Sequence, residues 1–152
     1  MPNKLVKAPT TPSIAKAKAI LFREAYRRID RAIAKGFHLE AIAIVESLIC
    51  DRIESTISLV TTKESYPDTL GPLLSQIRKL SVFPDELIRE LDSWRRDRNL
   101  VMHQMVKITN SDTTDWRSRM KFARLTALTG KSLLQNVNSN TNRIKRSYGG
   151  SK

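Results

Sequence analysis

Apolar residues recur at every third or fourth position along most of this chain, the spacing that places them on one face of an α-helix. The first such stretch follows Ser13, a residue that can cap a helix, and Gly36 is expected to end it. A second stretch, over about 38–59, carries a wider apolar stripe. This width predicts a central helix that several other elements contact.

The second half of the chain predicts three more helices. Turn signals around residues 66–72 precede a short helix over 73–80. Pro84 stands where a first-turn proline belongs and is followed by two acidic residues, so a helix is expected to run from there to about Val106. Thr114 or Asp115 is expected to cap the last helix.

The same pattern predicts where two tryptophans and one histidine lie in the fold. Trp94 and Trp116 fall on apolar stripes, so both are expected to pack in the core or at a dimer contact. His38 stands at a helix start beside Gly36 and is expected to be a surface or capping residue.

No alternating strand pattern, hairpin dipeptide or internal repeat occurs in the sequence. The prediction is therefore an all-α fold, a single-domain bundle of four to five helices over residues 13–135. Residues 1–12 are expected to form a flexible lead-in. The Asn-, Ser- and Arg-rich residues 136–152 are expected to form a basic, disordered tail.

Composition narrows the class of protein. Among 152 residues, 40% are hydrophobic and 28% charged, which is typical of a globular domain. Cys50 is the single cysteine, so a disulfide framework is excluded within one chain. No apolar run approaches the roughly 18 residues that span a bilayer, and no signal peptide is recognisable. These features predict a soluble, cytoplasmic protein without a membrane partner.

The net positive charge of the chain indicates that its binding partner is a polyanion. The chain carries 27 Lys and Arg against 15 Asp and Glu, a formal net charge of +12. Basic residues dominate both ends and acidic residues dominate the middle, a distribution that suits RNA bound over part of the surface. At the C-terminal end, Arg143, Lys145 and Arg146 are predicted to contact phosphates.

The segment Arg98-Asn99-Leu100-Val101-Met102-His103 carries the chemistry. On a helix, Asn99 and His103 are four residues apart and share a face, while Arg95 and Arg96 precede them as further phosphate ligands. Histidine titrates near neutral pH and can move protons, and arginine can stabilise a phosphorane. Asparagine can orient either group by hydrogen bonding. An exposed basic face with an incidental histidine is the simpler alternative.

This segment resembles the Arg-x(4–6)-His motif of the HEPN superfamily (higher eukaryotes and prokaryotes nucleotide-binding domains), including the polar residue after the arginine. The helical bundle, the long second helix and the position of the motif near the end of a later helix are similar as well. The resemblance implies a metal-independent endoribonuclease of a toxin–antitoxin or phage-defence type system, with no cofactor and with an active site composed from two protomers of a homodimer.

By the same resemblance, Arg98 would stabilise the phosphorane, His103 would transfer protons and Asn99 would support the geometry. Glu46 and Ser47 on the second predicted helix resemble polar positions that some members place near the active site. Asp51 and Arg52 on the same helix are the other candidate supporting residues and could form an ion pair. One departure stands out. A well-known toxin branch has a tyrosine two residues after the histidine, which its antitoxin modifies, and this chain has Met105 there.

Two further functions compete with the ribonuclease. One is a non-catalytic helical module that binds nucleic acid or regulates another protein on the same scaffold. Its distinguishing sign would be an Arg98 and a His103 that point into salt bridges or solvent, away from any cleft. The other is a scaffold or toxin-neutralising subunit that binds a protein through its acidic middle. With two histidines and one cysteine, no metal site is expected.

Overall fold

Five helices make up almost all of the structure. The computed structural model describes residues 11–64 and 66–149, and this part of the chain contains no strand. The helices, in chain order, are α1 (Pro12–Lys35), α2 (His38–Thr61), α3 (Leu70–Leu80), α4 (Asp85–Gln104) and α5 (Trp116–Gly149). The predicted all-α single-domain bundle is confirmed.

Local sequence signals set several of the helix ends. Thr11, rather than Ser13, caps α1, because its side chain accepts a hydrogen bond from the Ile14 amide, and Pro12 then occupies the first turn. Gly36 ends α1 in the left-handed conformation, with φ of 82°. Asp115 caps α5 by accepting from the Ser118 amide at 2.8 Å. The lead-in predicted over 1–12 lies outside the described residues except for Thr11 and Pro12.

Helix α2 forms the centre of the bundle. It packs most extensively against α5 and also contacts α1, α3 and α4. Ile42, Val45, Ile49 and Ile53 on this helix are completely buried. The wide apolar stripe of α2 is thus explained by neighbours on several sides.

Helices α4 and α5 approach closely where Trp94 crosses Gly130. The indole of Trp94 is buried and its Nε1 donates a hydrogen bond to the Thr126 carbonyl at 2.8 Å. A Cβ added at Gly130 would lie 2.6 Å from Cζ2 of that indole, well inside van der Waals contact. Only glycine therefore fits at this crossing.

Helix α5 continues well past the predicted boundary. Residues 136–149, expected to be disordered, are helical, and Val137, Thr141 and Ile144 are buried. The Thr141 hydroxyl also lies 3.1 Å from the hydroxyl of Thr56 on α2. Packing against α2 thus overrides the low helix propensity of the Asn- and Ser-rich sequence.

Two side chains differ in exposure from the prediction: Trp116 is exposed and His38 is buried. Trp116 is 58% exposed, because it begins α5 before that helix packs against its neighbours. His38 is buried at the start of α2, and burial together with the charge of Arg124 lowers its pKa. Over the described residues, no helix combines the length and the apolarity that a membrane span requires.

The Trp94–Gly130 crossing yields a stability prediction. Gly130→Ala should lower the free energy of unfolding by about 1–3 kcal/mol, because the added methyl overlaps the indole and forces the two helices apart. Urea denaturation followed by circular dichroism measures this change. Gly149→Ala is the control, since no atom of the described residues lies within 4 Å of its added Cβ. Equal stability of the two variants would contradict the tight crossing.

Candidate active site

The predicted motif occupies the last two turns of α4. Between Arg98 and His103 the helix turns through five residues at about 100° each, which leaves their side chains roughly 140° apart around the axis. The two groups therefore leave α4 in different directions. Arg98 faces the bundle and His103 faces outward.

Two side-chain oxygens, one from a carboxylate and one from an amide, accept hydrogen bonds from Arg98. Its Nη2 donates a charge-assisted hydrogen bond to Oε2 of Glu46 on α2, and its Nη1 donates to Oδ1 of Asn99 at 2.6 Å. The side chains of Arg98 and Glu46 are 25% and 15% exposed. Because a guanidinium carries five N–H donors, others remain for a phosphate oxygen. Glu46 and Asn99 thus orient Arg98 without using all of its donors.

His103 is exposed at the end of α4. Within residues 11–64 and 66–149, its imidazole has no hydrogen bond and no ion pair. Asn99, four residues earlier, contacts Arg98 rather than His103. Asn99 and His103 therefore share a face of the helix as predicted, but Asn99 contacts Arg98 and His103 faces solvent.

Arg95 and Arg96 share one carboxylate. Both donate hydrogen bonds to Asp92, at 2.9 Å in each case from an Nη2. The hydrogen bond from Arg95, and then the charges of both arginines, hold the pKa of Asp92 below its usual range. Arg96 is largely exposed, whereas Arg95 lies over Gly71 at the start of α3. Arg96 is thus the more accessible of the two phosphate ligands.

The three supporting residues of α2 fall into two groups. Glu46 reaches the motif through Arg98, as described. Asp51 instead pairs with Lys18 of α1 at 2.9 Å, and the Arg52 guanidinium stacks on the ring of Phe22, also of α1. The structure therefore brings only Glu46 to the motif.

Cys50 lies one turn from Glu46 and is poorly suited to nucleophilic chemistry. Burial, and then the negative charges of Glu46 and Glu54, raise the pKa of its thiol to about 12. The thiol is therefore protonated at neutral pH, and the thiolate is the form that reacts.

The predicted C-terminal phosphate ligands lie at the other end of α4. Arg143 donates to the Val82 carbonyl at 3.1 Å, in the turn just before α4, whereas His103 is near its last residue. The rise along α4 between those ends is about 27 Å. Arg146 is exposed on the same end of α5 as Arg143, and Lys145 lies between them. A nucleic acid that contacts both groups would have to follow α4 along its length.

Arg119 of α5 was not singled out from the sequence, yet it lies beside the motif. Its Nη1 donates to the Gln104 carbonyl at 2.5 Å and its Nε donates to the Thr114 carbonyl at 2.8 Å. The sequence did contain one indication of this role. A positive charge in the first turns of a helix is unfavourable with the helix dipole, so an arginine there suggests a specific contact. Arg119 thereby ties the end of α4 to the start of α5.

No family model, curated protein or solved structure matched this chain in comparisons with known proteins. Membership of the HEPN superfamily accordingly remains a prediction from the motif. Among the residues that the structure describes, no three His, Cys, Asp or Glu side chains are grouped so that they could hold a metal ion.

The partly buried Glu46–Arg98 pair leads to a stability prediction. Glu46→Ala should lower the free energy of unfolding by about 1–2 kcal/mol, because it leaves a three-quarters buried guanidinium without its carboxylate. Thermal and urea denaturation measure the loss. The control is Glu24→Ala, which removes a carboxylate paired with Arg27 on the exposed face of α1 and should change stability little. If both substitutions cost the same, the Glu46 pair does not contribute as described.

Proposed function

We propose that this protein is a metal-independent endoribonuclease of the HEPN type that acts as a homodimer in a toxin–antitoxin or phage-defence type system. The observation that carries the proposal is the presence, on two consecutive turns of α4, of a preoriented Arg98 and an exposed His103 that has no partner among the described residues. One group is held in place by protein, and the other is available to exchange protons with a substrate.

The chemistry assigns a role to each residue. The 2′-oxygen of the RNA attacks the adjacent phosphorus and loses its proton, the bond from phosphorus to the 5′-oxygen breaks, and that oxygen gains a proton. The products are a 2′,3′-cyclic phosphate and a 5′-hydroxyl. His103 takes part in proton transfer, Arg98 stabilises the charge of the phosphorane, and Asn99 orients Arg98. The reaction needs no metal and no cofactor.

A second copy of the chain completes the site. A single His103 handles one proton at a time, whereas the reaction removes a proton on one side of the phosphorus and adds one on the other. Two copies of α4 that face each other would supply a histidine to each side. Large exposed apolar side chains follow the motif at the junction of α4 and α5, where a partner would cover them. We call this surface the α4–α5 apolar patch; its members are Val106, Ile108, Trp116 and Leu125.

RNA binding extends the site along α4. Arg95 and Arg96 lie two turns before His103 and would contact phosphates on one side of the scissile bond. Arg143, Lys145 and Arg146 would hold a more distant part of the strand. A regulatory protein or antitoxin would act by covering this strip. Because Met105 replaces the tyrosine of the best-known branch, its control would differ from modification at that position.

A non-catalytic module that binds nucleic acid is the second candidate, and one observation favours it. Arg98 does enter a salt bridge, with Glu46, and His103 does face solvent. In that case Glu46 would neutralise Arg98 permanently, and the strip would bind RNA without cleaving it.

Cleavage assays separate these two functions. In EDTA, the wild type should cleave RNA, and Arg98→Ala and His103→Ala should each reduce the rate by about 100-fold or more. Arg89→Ala, which removes an exposed arginine earlier on α4, is the charge-matched control and should retain activity. Gel electrophoresis with end-group analysis measures both the rate and the cyclic phosphate. Binding without cleavage by the wild type would establish the non-catalytic module, and equal rates in all four proteins would refute the assigned residues.

The homodimer is tested separately by sedimentation equilibrium. Leu125→Asp should weaken association by about tenfold or more, because it places a charge in the α4–α5 apolar patch. Leu21→Asp changes a residue of nearly equal exposure on α1, at 67% against 62%, and should leave association unchanged. A monomeric wild type, or dissociation by Leu21→Asp alone, would contradict the proposed interface.

A further inference from the structure

A small cavity lies between the last turn of α4 and the first turns of α5. Its volume is about 180 Å³. Apolar side chains from both helices form one part of its wall, and polar side chains from α5 and the preceding loop form the other; among them are Leu100, Met105, Phe122, Asp112, Ser118 and Arg119. An engineered apolar cavity of about 150 Å³ accepts one benzene ring, so this space, which is open to solvent on one side, admits one ring of a flat aromatic group whose remainder stays outside.

Arg119 forms the polar end of the cavity and has a donor to spare. Its side chain is only 10% exposed. Nε and Nη1 donate to two backbone carbonyls, but Nη2 is buried and has no hydrogen-bond partner in the part of the chain that the structure describes. A buried guanidinium N–H without an acceptor is costly, so a ligand that supplies an acceptor would be bound favourably.

Asp112 places an acceptor next to this donor. Its Oδ1 lies 3.6 Å from Nη2 of Arg119, which is too long for a hydrogen bond. Hydrogen bonds from the side chain and backbone of Thr114 lower the pKa of Asp112, so its carboxylate is ionised and only accepts at neutral pH. A ligand that carries an acceptor beside a donor would satisfy both residues at once.

We infer that this cavity binds one guanine base of an RNA strand. Guanine presents O6 as an acceptor for Nη2 of Arg119. Its N1–H lies beside O6 and its N2–H lies beside N1–H, so both can donate to Asp112. The Phe122 ring, 39% exposed among the lining residues, offers a face on which the base stacks. Adenine and cytosine lack the adjacent carbonyl and N–H pair, and uracil offers the carboxylate a single N–H.

The cavity is close enough to the motif to choose the cleavage position. Gln104, which lines the cavity, follows His103 directly in α4, and successive Cα atoms are about 3.8 Å apart. A base held there would place its own or the neighbouring phosphate at His103. This inference rests on the proposed action on RNA and adds base specificity to it.

Binding of short RNAs tests the inference without cleavage. Full-length protein with His103→Ala is titrated with the pentamers UUGUU, UUAUU, UUCUU and UUUUU, each labelled at its 5′ end, and affinity is read by fluorescence anisotropy. UUGUU should bind about tenfold or more tightly than the other three. Asp112→Asn in the same background should remove that preference, because the amide replaces an acceptor with a donor while keeping its size.

Asp85→Asn is the matched control. It makes the same change of charge in the exposed first turn of α4, about 22 Å along the helix from Leu100, and should keep the preference for guanine. Arg119→Ala should also lose the preference, with circular dichroism to establish that α4 and α5 remain folded. Equal binding of all four pentamers, or a guanine preference that survives Asp112→Asn, would overturn the inference while RNA binding stands. Failure to bind any of the pentamers would overturn the action on RNA and the base pocket with it.

Discussion

The close crossing of α4 and α5 at Trp94 and Gly130 is the constraint on which the candidate site depends. Because the indole occupies the space of a missing Cβ, the two helices approach more closely than larger side chains would allow. The hydrogen bond from Trp94 to the Thr126 carbonyl then fixes how the helices lie along each other. This contact thereby joins the helix that carries the motif to the helix that carries Arg119.

A second interaction, between Glu46 and Arg98, determines what the motif can do alone. The ion pair holds the guanidinium against α2 and gives it a defined orientation. The negative charge of Glu46 also weakens the attraction of Arg98 for other anions. Partly buried pairs of this kind contribute more to geometry than to net stability. The same contact is therefore compatible with a preorganised phosphate ligand and with a purely structural arginine. Its chemical meaning depends on whether a second His103 is brought opposite the first.

Much of the fold could be predicted from the sequence, because helix periodicity and caps are local signals. Gly36 and Asp115 stand at the helix ends that they predicted, and Pro84 is the N-cap residue of α4, one position before the predicted first turn. The length of α5 could not be predicted, since Asn- and Ser-rich residues are poor helix formers and their burial depends on α2, which is distant in sequence. The exposure of Trp116 was missed for a similar reason, because a stripe on one helix does not show where its neighbour begins.

The candidate site was predictable to a smaller extent. Spacing alone predicted that Asn99 and His103 share a face, and the family resemblance suggested Glu46 as a supporting residue. The direction of Arg98 could not be predicted, because it depends on an acceptor 52 residues away. The cavity and the spare donor of Arg119 arise only when two helices and a loop meet. Such arrangements have no signature in a single sequence apart from the unusual position of a cation near the start of a helix.

The last turns of α5 change how the C-terminal region of this protein should be treated. Thr141 meets Thr56 in the interior, and Arg143 holds the carbonyl of Val82 between α3 and α4. Those turns therefore pack against α2 and bind the α3–α4 turn, which links both to the end of α5. Shortening the chain at residue 135 would expose part of the hydrophobic core, because Val137 and Ile144 are buried there.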